Sequence, residues 1–230
     1  MIRHNGLLAA LPQEDRDALL ARMEGLDLPR GLELSLPRTQ ADYCYFPSRG
    51  IISTVVVSSS GRQAEIGVIG REGMSPASAI LGSDQNPYRT VMQVAGQGWR
   101  MKRELLCDFL DECAPARRIF LRWAQSFAFQ NAYTALSNAV HPVDERLARW
   151  ILMCHDRVEG DRLELTHEFL AIMLAVRRAS VTNALHVLEG LGLIHSLRGT
   201  IVVRDRTGLQ DFARDSYGGC EREYTRLFQF

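Results

Sequence analysis

Lysine is almost missing from this sequence. Lys102 is the single one, and arginine supplies the rest of the 27 basic residues. Arginine's planar fork suits bidentate contact with phosphate or guanine, although genome composition is the simpler account of the bias. Excess charge of either sign is missing too. The 27 acidic residues balance the basic ones, which argues against a chain-wide electrostatic grip on nucleic acid and leaves room only for a local one. Paired cysteines are absent. Cys44, Cys107, Cys113, Cys154 and Cys220 are odd in number and irregularly spaced, with no CxxC. That removes the usual ligand spacing of a zinc knuckle or an iron–sulfur cluster. Reduced thiols in a cytoplasmic protein are expected, with no metal and no cofactor.

Long apolar runs are lacking as well. Met1 to Leu11 has neither the apolar core nor the small-residue cleavage site of a secretory signal. The longest uncharged stretch, Trp123 to Val143, contains Gln125, Gln130, Asn131, Asn138 and His141. It is too polar to span a membrane, and no membrane partner is expected. Catalytic signatures are also missing: there is no Walker loop, no GxSxG and no HExxH. Cys154 and His155 are adjacent, as a nucleophile and its base could be, but Cys154 falls on an apolar helical stripe and reads as core. No catalytic residue is expected.

What is present describes an ordinary globular chain. Hydrophobic residues make up 46% and charged residues 23%, which excludes wholesale disorder, and 230 residues suit two modest domains better than one. Residues 7–24 read as one short helix, with Pro12 starting a turn before Glu14 and Asp15. From Leu26 to Met101, short β-rich runs alternate with Gly, Pro and Ser: Tyr43–Phe46, Ile51–Val57, Ala64–Ile69 and Thr90–Val94. Ser58-Ser59-Ser60-Gly61-Arg62 reads as a hairpin loop. The pattern suggests an antiparallel barrel or roll. Helical periodicity returns at Lys102, with a short helix from Glu104 to Glu112 and a longer one opened by Pro115 and running to about Ala139.

That long helix is apolar on two sides. Ile119, Trp123 and Phe127 form one stripe; Leu121, Ala124, Ala128, Ala132 and Ala135 form a small-residue seam. Two apolar sides need two burial partners. One is the β-domain and the other is the same helix of a second subunit; the alternative is a helix buried wholly within its own chain. His141-Pro142 breaks it and marks a domain boundary. A further helix, Asp144 to Arg157, places Leu147, Trp150, Ile151 and Cys154 on one face.

The most specific signal lies in residues 163–204. Thr166 is a good N-cap for a helix from Thr166 to Leu174. A turn follows at Ala175-Val176-Arg177, where Ala175 stands in a position that usually prefers glycine, and a second helix runs from Arg178 to Glu189. Val181, Ala184, Leu185 and Leu188 share one face. Arg178, Thr182, Asn183 and His186 share the other, with Arg177 and Ser180 at its start. That outer face carries no acid before Glu189, whereas a merely solvated face normally mixes both signs. Arginine reads guanine, asparagine reads adenine, and hydroxyls reach phosphates. Two β-runs then flank the turn Arg198-Gly199-Thr200, forming a wing whose tip can touch the backbone beside the reading helix.

Residues 144–204 resemble the C-terminal domain of the Crp/Fnr superfamily. The resemblance is carried by Glu145-Arg146-Leu147-Ala148, Leu165-Thr166-His167-Glu168, Val176-Arg177-Arg178-Ala179-Ser180-Val181-Thr182, Leu188-Glu189, and Gly192-Leu193-Ile194 through Gly199-Thr200-Ile201. It implies an α+β chain: an antiparallel β-roll like a cyclic-nucleotide-binding jelly roll at 1–114, a dimerisation helix at 115–140, and a winged helix-turn-helix with a C-terminal tail at 141–230. It also implies a homodimer on palindromic double-stranded DNA, with RNA polymerase as a further partner. The family's reading helix carries Arg, Glu and Arg. Here Arg178 matches the first, while Ala179 and Asn183 replace the others, so a different operator is expected. The implied DNA-contacting set is Thr166, His167, Arg177, Arg178, Ser180, Thr182, Asn183, His186, Arg198 and Thr200. For the roll, the nearest residues to the family's nucleotide cassette are Glu72, Arg89 and Thr90. Their spacing departs from it, so a signal other than cAMP is expected. No cysteine cluster precedes Cys44 and no histidine lies between His4 and His141, unlike the iron–sulfur and haem branches. A second reading is a cyclic-nucleotide sensor whose winged helix serves protein contacts.

Overall fold

The computed structural model describes residues 5–228. At its start, Asn5 caps a short helix α1 (Gly6–Ala9), accepting the Leu8 N–H at 3.0 Å and donating its amide to the carbonyls of Pro47 and Gly73. Pro12, which has no N–H to continue a helix, ends this turn and precedes a second helix, α2 (Gln13–Leu20). The single helix expected over 7–24 is therefore two. Its last residue belongs instead to strand β1 (Glu24–Leu28), which pairs with the long strand described below.

Strands β2 (Glu33–Ser35), β3 (Thr39–Gln40), β4 (Tyr43–Val57), β5 (Gln63–Ile69), β6 (Gln85–Asn86) and β7 (Arg89–Lys102) complete the roll. The main sheet runs β1-β7-β4-β5, with β2 also on β7, and every pairing is antiparallel. The two runs expected at Tyr43–Phe46 and Ile51–Val57 are one strand, bulged between Pro47 and Ile52. The run expected to stop at Val94 continues to Lys102. Gly96 and Gly98 look like strand breakers in sequence. Here they permit contact, because a β-carbon on Gly96 would sit 2.0 Å from the Arg49 carbonyl and one on Gly98 2.4 Å from that of Phe46.

Helices α3 (Arg103–Glu112) and α4 (Ala114–Val140) follow the roll. α4 buries Ile119, Phe120, Trp123 and Phe127 against the roll core, with the rings of Trp123 and Phe127 stacked 5.6 Å apart. Gln130 fixes the register of this packing. Its amide accepts the Val68 N–H at 2.7 Å and donates to the Val68 carbonyl at 3.2 Å, satisfying backbone of the edge strand β5. Of the expected small-residue seam, Ala124 is buried, whereas Leu121, Ala128, Ala132 and Ala135 are exposed. Leu136 and Val140 extend the exposed stripe, and Val140 is 62% exposed.

The C-terminal part begins with α5 (Val143–His155), continues through β8 (Arg162–Leu163), α6 (His167–Met173), α7 (Arg178–Gly190), β9 (Ile194–Leu197) and β10 (Thr200–Val203), and ends with α8 (Arg206–Ala213) and α9 (Gly219–Phe228). Sequence periodicity gives α5 one apolar face, but Leu147 through Cys154 are all buried. The cause is a second partner. The outer face of the roll sheet, through Ile51, Val55 and Val68, joins the same apolar cluster as Leu147, Ile151, Leu170, Leu185 and Ile201. α5 is thus packed on two sides.

Candidate nucleic-acid interface

The helix-turn-helix forms where the residues direct it. Thr166 Oγ1 accepts the Phe169 N–H, closing the N-terminus of α6. Ala175 turns the chain with φ 51°, the left-handed region that favours glycine, so alanine there is strained by about 1 kcal/mol. Val181, Ala184, Leu185 and Leu188 hold α7 on the core. Arg177, Arg178, Asn183 and His186 are exposed together on its opposite side.

Each expected contact residue has a definite place. His167, at the start of α6, lies with Nδ1 3.3 Å from Thr182 Oγ1, which itself donates to the Arg178 carbonyl, so the two helices meet at the N-terminal end of the exposed face of α7. Ser180 and Thr182 are half-buried. No described acidic residue forms an ion pair with Arg177, Arg178 or Arg198. Glu189, the first acid along α7, is turned toward the wing. It accepts the Ser196 N–H at 3.0 Å and contacts His195 Nδ1 at 2.8 Å, and these hold its carboxyl below the usual range.

The wing is the hairpin β9–β10, joined by Arg198 and Gly199, with Gly199 at φ 74° and Arg198 exposed at the tip. Thr200 does not belong to the exposed face. It is buried on the central strand of the order β8-β10-β9, where its hydroxyl accepts from Arg162. Arg162 is exposed there, and the sequence does not signal it, because a two-residue strand behind the Glu159-Gly160-Asp161 turn leaves no periodic pattern.

The three roll residues with a cassette-like look do not converge. Glu72 accepts the Gly70 N–H and pairs with Arg157 of the segment after α5 at 2.7 Å. Arg89 pairs with Glu33 at 2.7 Å, and Thr90 is buried with its hydroxyl 2.8 Å from that of Ser35. A separate cleft of about 470 Å³ opens between the 3-10 turn at Ala77–Leu81 and α4, lined by Ser78, Tyr88, Ala124, Phe127, Ala128 and Asn131 among others. Cys154 is fully buried, and burial pushes its thiol well up, which is the opposite of an activated nucleophile. Among the described residues no cluster of three or more His, Cys, Asp or Glu could hold a metal ion, and no helix is long and apolar enough to cross a membrane.

No curated protein sequence matches the chain. Solved structures do match in fold. FixK2 from Bradyrhizobium japonicum superposes with a TM-score of 0.71 at 16% identity, over 84% of this chain and 98% of its own. A Crp/Fnr-family chain from Eubacterium rectale gives 0.70 at 18% identity, over 91% and 98%. CLP, the c-di-GMP-responsive global regulator of Xanthomonas campestris, gives 0.66 at 18% identity, over 84% and 99%. Residues 145–212 match the pattern of the Crp-like helix-turn-helix domain. The chain therefore carries a Crp-like helix-turn-helix domain on the fold of the Crp/Fnr transcription regulators.

Proposed function

We propose that this protein is a cytoplasmic, sequence-specific transcription regulator that acts as a homodimer on palindromic double-stranded DNA. The observation that carries the reading is the outer face of α7. Arg177, Arg178, Asn183 and His186 stand exposed on it, beside the exposed Arg198 of the wing, and no described acidic residue forms an ion pair with the three arginines. Such a face presents base-reading and phosphate-neutralising groups at the N-terminal end of a reading helix. The exposed stripe of α4, from Leu121 through Ala128 and Ala132 to Leu136, supports an isologous pairing of two copies. RNA polymerase is a partner on the family resemblance alone. The roll senses a signal other than cAMP, since Glu72 and Arg89 are already committed to Arg157 and Glu33.

The test is recovery of bound sequences from a random DNA pool. The expected result is an inverted repeat with half-sites about one helical turn, ~34 Å, apart, bound with an affinity that falls steeply with salt. Absence of enriched sequence defeats the reading and favours a sensor whose winged helix makes protein contacts. Light scattering is expected to give twice the chain mass of 25.9 kDa. Ala128→Glu, which places a charge in the seam, is expected to shift the protein toward monomer at micromolar concentration.

A further inference from the structure

The residues after the wing form a path from one apolar core to the other. Leu209, Ala213 and Tyr217 pack with the winged-domain cluster, whereas Tyr224 and Phe228 pack with the roll cluster, their rings stacked 4.6 Å apart. α9, which carries Tyr224 and Phe228, lies along α4. The contact is close, since a β-carbon on Gly219 would sit 2.7 Å from the ring of Tyr133.

The path is fastened at one point. Asp156 and Arg157 follow α5 directly. Asp156 accepts from Tyr217 Oη at 2.9 Å and from Arg206 at 2.5 Å, and Arg206 also donates to Tyr217 Oη. Burial, with Asp156 beside it, pushes the Tyr217 hydroxyl up, so it stays protonated as a donor. Arg157 points the other way and pairs with Glu72 of the roll, both side chains largely withdrawn from water. The loop closes when Tyr224 Oη donates to the Glu72 carbonyl at 3.4 Å. Adjacent residues thus bind the tail on one side and the roll on the other. A cleft of about 230 Å³ remains beneath α9, between Cys220, Glu221 and Tyr224 above and Arg71, Trp123 and Phe127 below. The tail is therefore docked on the body with space left under it, unlike a core helix packed to full density.

We infer that residues 214–228 are a strap that fixes the orientation of the winged domain on the roll, with Asp156 and Arg157 as its buckle. A two-half-site operator needs both reading helices held at one separation, and domains free to swing occupy that arrangement only part of the time. The strap is a positioning device: among the described residues it makes no hydrogen bond or ion pair with Arg177, Arg178, Asn183, His186 or Arg198.

The test uses the full chain. Gly219→Leu forces α9 away from Tyr133, and Tyr217→Phe removes one donor to Asp156 while keeping the ring in the core. In both, hydrogen exchange is expected to accelerate at residues 70–73 and 155–157. Binding to a palindromic operator is expected to weaken about tenfold, with affinity for an isolated half-site unchanged. Unchanged protection at 70–73 and 155–157 overturns the strap, as does a palindrome affinity that holds or rises. The inference rests on the DNA-binding reading in its second arm only. If the unaltered chain shows no preference for a palindrome over a half-site, that reading fails by itself, and the exchange measurement still decides the strap.

Discussion

Three arginines of the roll and its junction with the winged domain differ from three around α7 and the wing. In the roll, Arg89 is held by Glu33 and Arg100 by Glu24, and at the junction Arg157 is held by Glu72. On the winged domain, Arg177, Arg178 and Arg198 are exposed with no acidic partner among the described residues. A guanidinium in water costs little to leave unpaired, and the exposed pairs of Arg89 and Arg100 gain little, whereas the Arg157–Glu72 pair is largely withdrawn from water and costs more to break. The difference lies in availability. Paired arginines are occupied by the chain's own carboxylates, while the others are open to an anion from outside. Net charge, zero over the whole chain, hides this partition.

The largest effect expected concerns the carboxylate between the two regions. Glu65, on β5, is 4% exposed and meets α5 and α6. Trp150 Nε1 donates to one oxygen at 2.5 Å, and Ser53 Oγ lies 2.5 Å from the other and 3.3 Å from Met173 Sδ. One hydroxyl proton cannot serve both of Ser53's neighbours. A protonated Glu65 donating to Ser53, which then donates to Met173, satisfies every atom. Burial pushes this carboxyl up to about 7, against the lowering from Ser53, Trp150, Arg149 and Arg157. A carboxyl raised on folding contributes stability in full below its unfolded value of 4.5 and loses it as pH rises through about 7. The loss amounts to ~3 kcal/mol. Glu65→Gln reproduces the protonated pattern, its amide donating to Ser53 and accepting from Trp150. Urea unfolding between pH 5 and pH 8 is expected to show the variant gaining on the parent as pH rises. A constant difference across that window sinks the assignment.

Next in size is Arg178→Ala, which tests the open half of the comparison directly. A bidentate arginine–guanine contact is worth roughly 1–3 kcal/mol of discrimination. Operator affinity should drop accordingly, and preference should relax at one base pair per half-site in a series of single-base variants. Retention of both means the reading helix is elsewhere. Arg198→Ala should act more weakly and evenly, reducing affinity for all sequences alike and lowering the salt slope by about one unit, measured by titration at several ionic strengths. Smallest of all is Arg89→Ala. Its partner Glu33 is itself well exposed, so the pair carries at most about 1 kcal/mol. Calorimetry is expected to detect no cAMP binding before or after the change. Micromolar binding abolished by the substitution would mean that Arg89 is available to an outside anion despite Glu33.

How much of this was legible in the sequence depends on the range of the interactions. The helix-turn-helix was readable because its determinants are local: the Thr166 cap, the turn at Ala175, and the apolar spacing of Val181, Ala184, Leu185 and Leu188 on one helix. The acid-free face of α7 follows from the same period, since the residues between those anchors must point away. The full extent of β7 was not readable. Gly96 and Gly98 signal a break in a single strand, and only the approach of β4 makes glycine the required residue there. The burial of Thr200 is hidden for a related reason: its position beside the wing tip suggests exposure, whereas it pairs with Leu197 of β9 and Arg162 of β8 donates to its hydroxyl.

By itself, then, the sequence determined the elements whose signals repeat within a few residues: α6 with its Thr166 cap, the two faces of α7, the wing turn and the two-sided character of α4. Tertiary structure alone decided which side of α4 is covered, because both sides are apolar and only the roll selects Trp123 and Phe127 over Ala128 and Ala132. It also decided the partners of Glu65, Glu72 and Asp156. Those contacts join residues up to 152 positions apart, and no local period can encode a pairing between a roll strand, the end of α5 and a tail that returns across both.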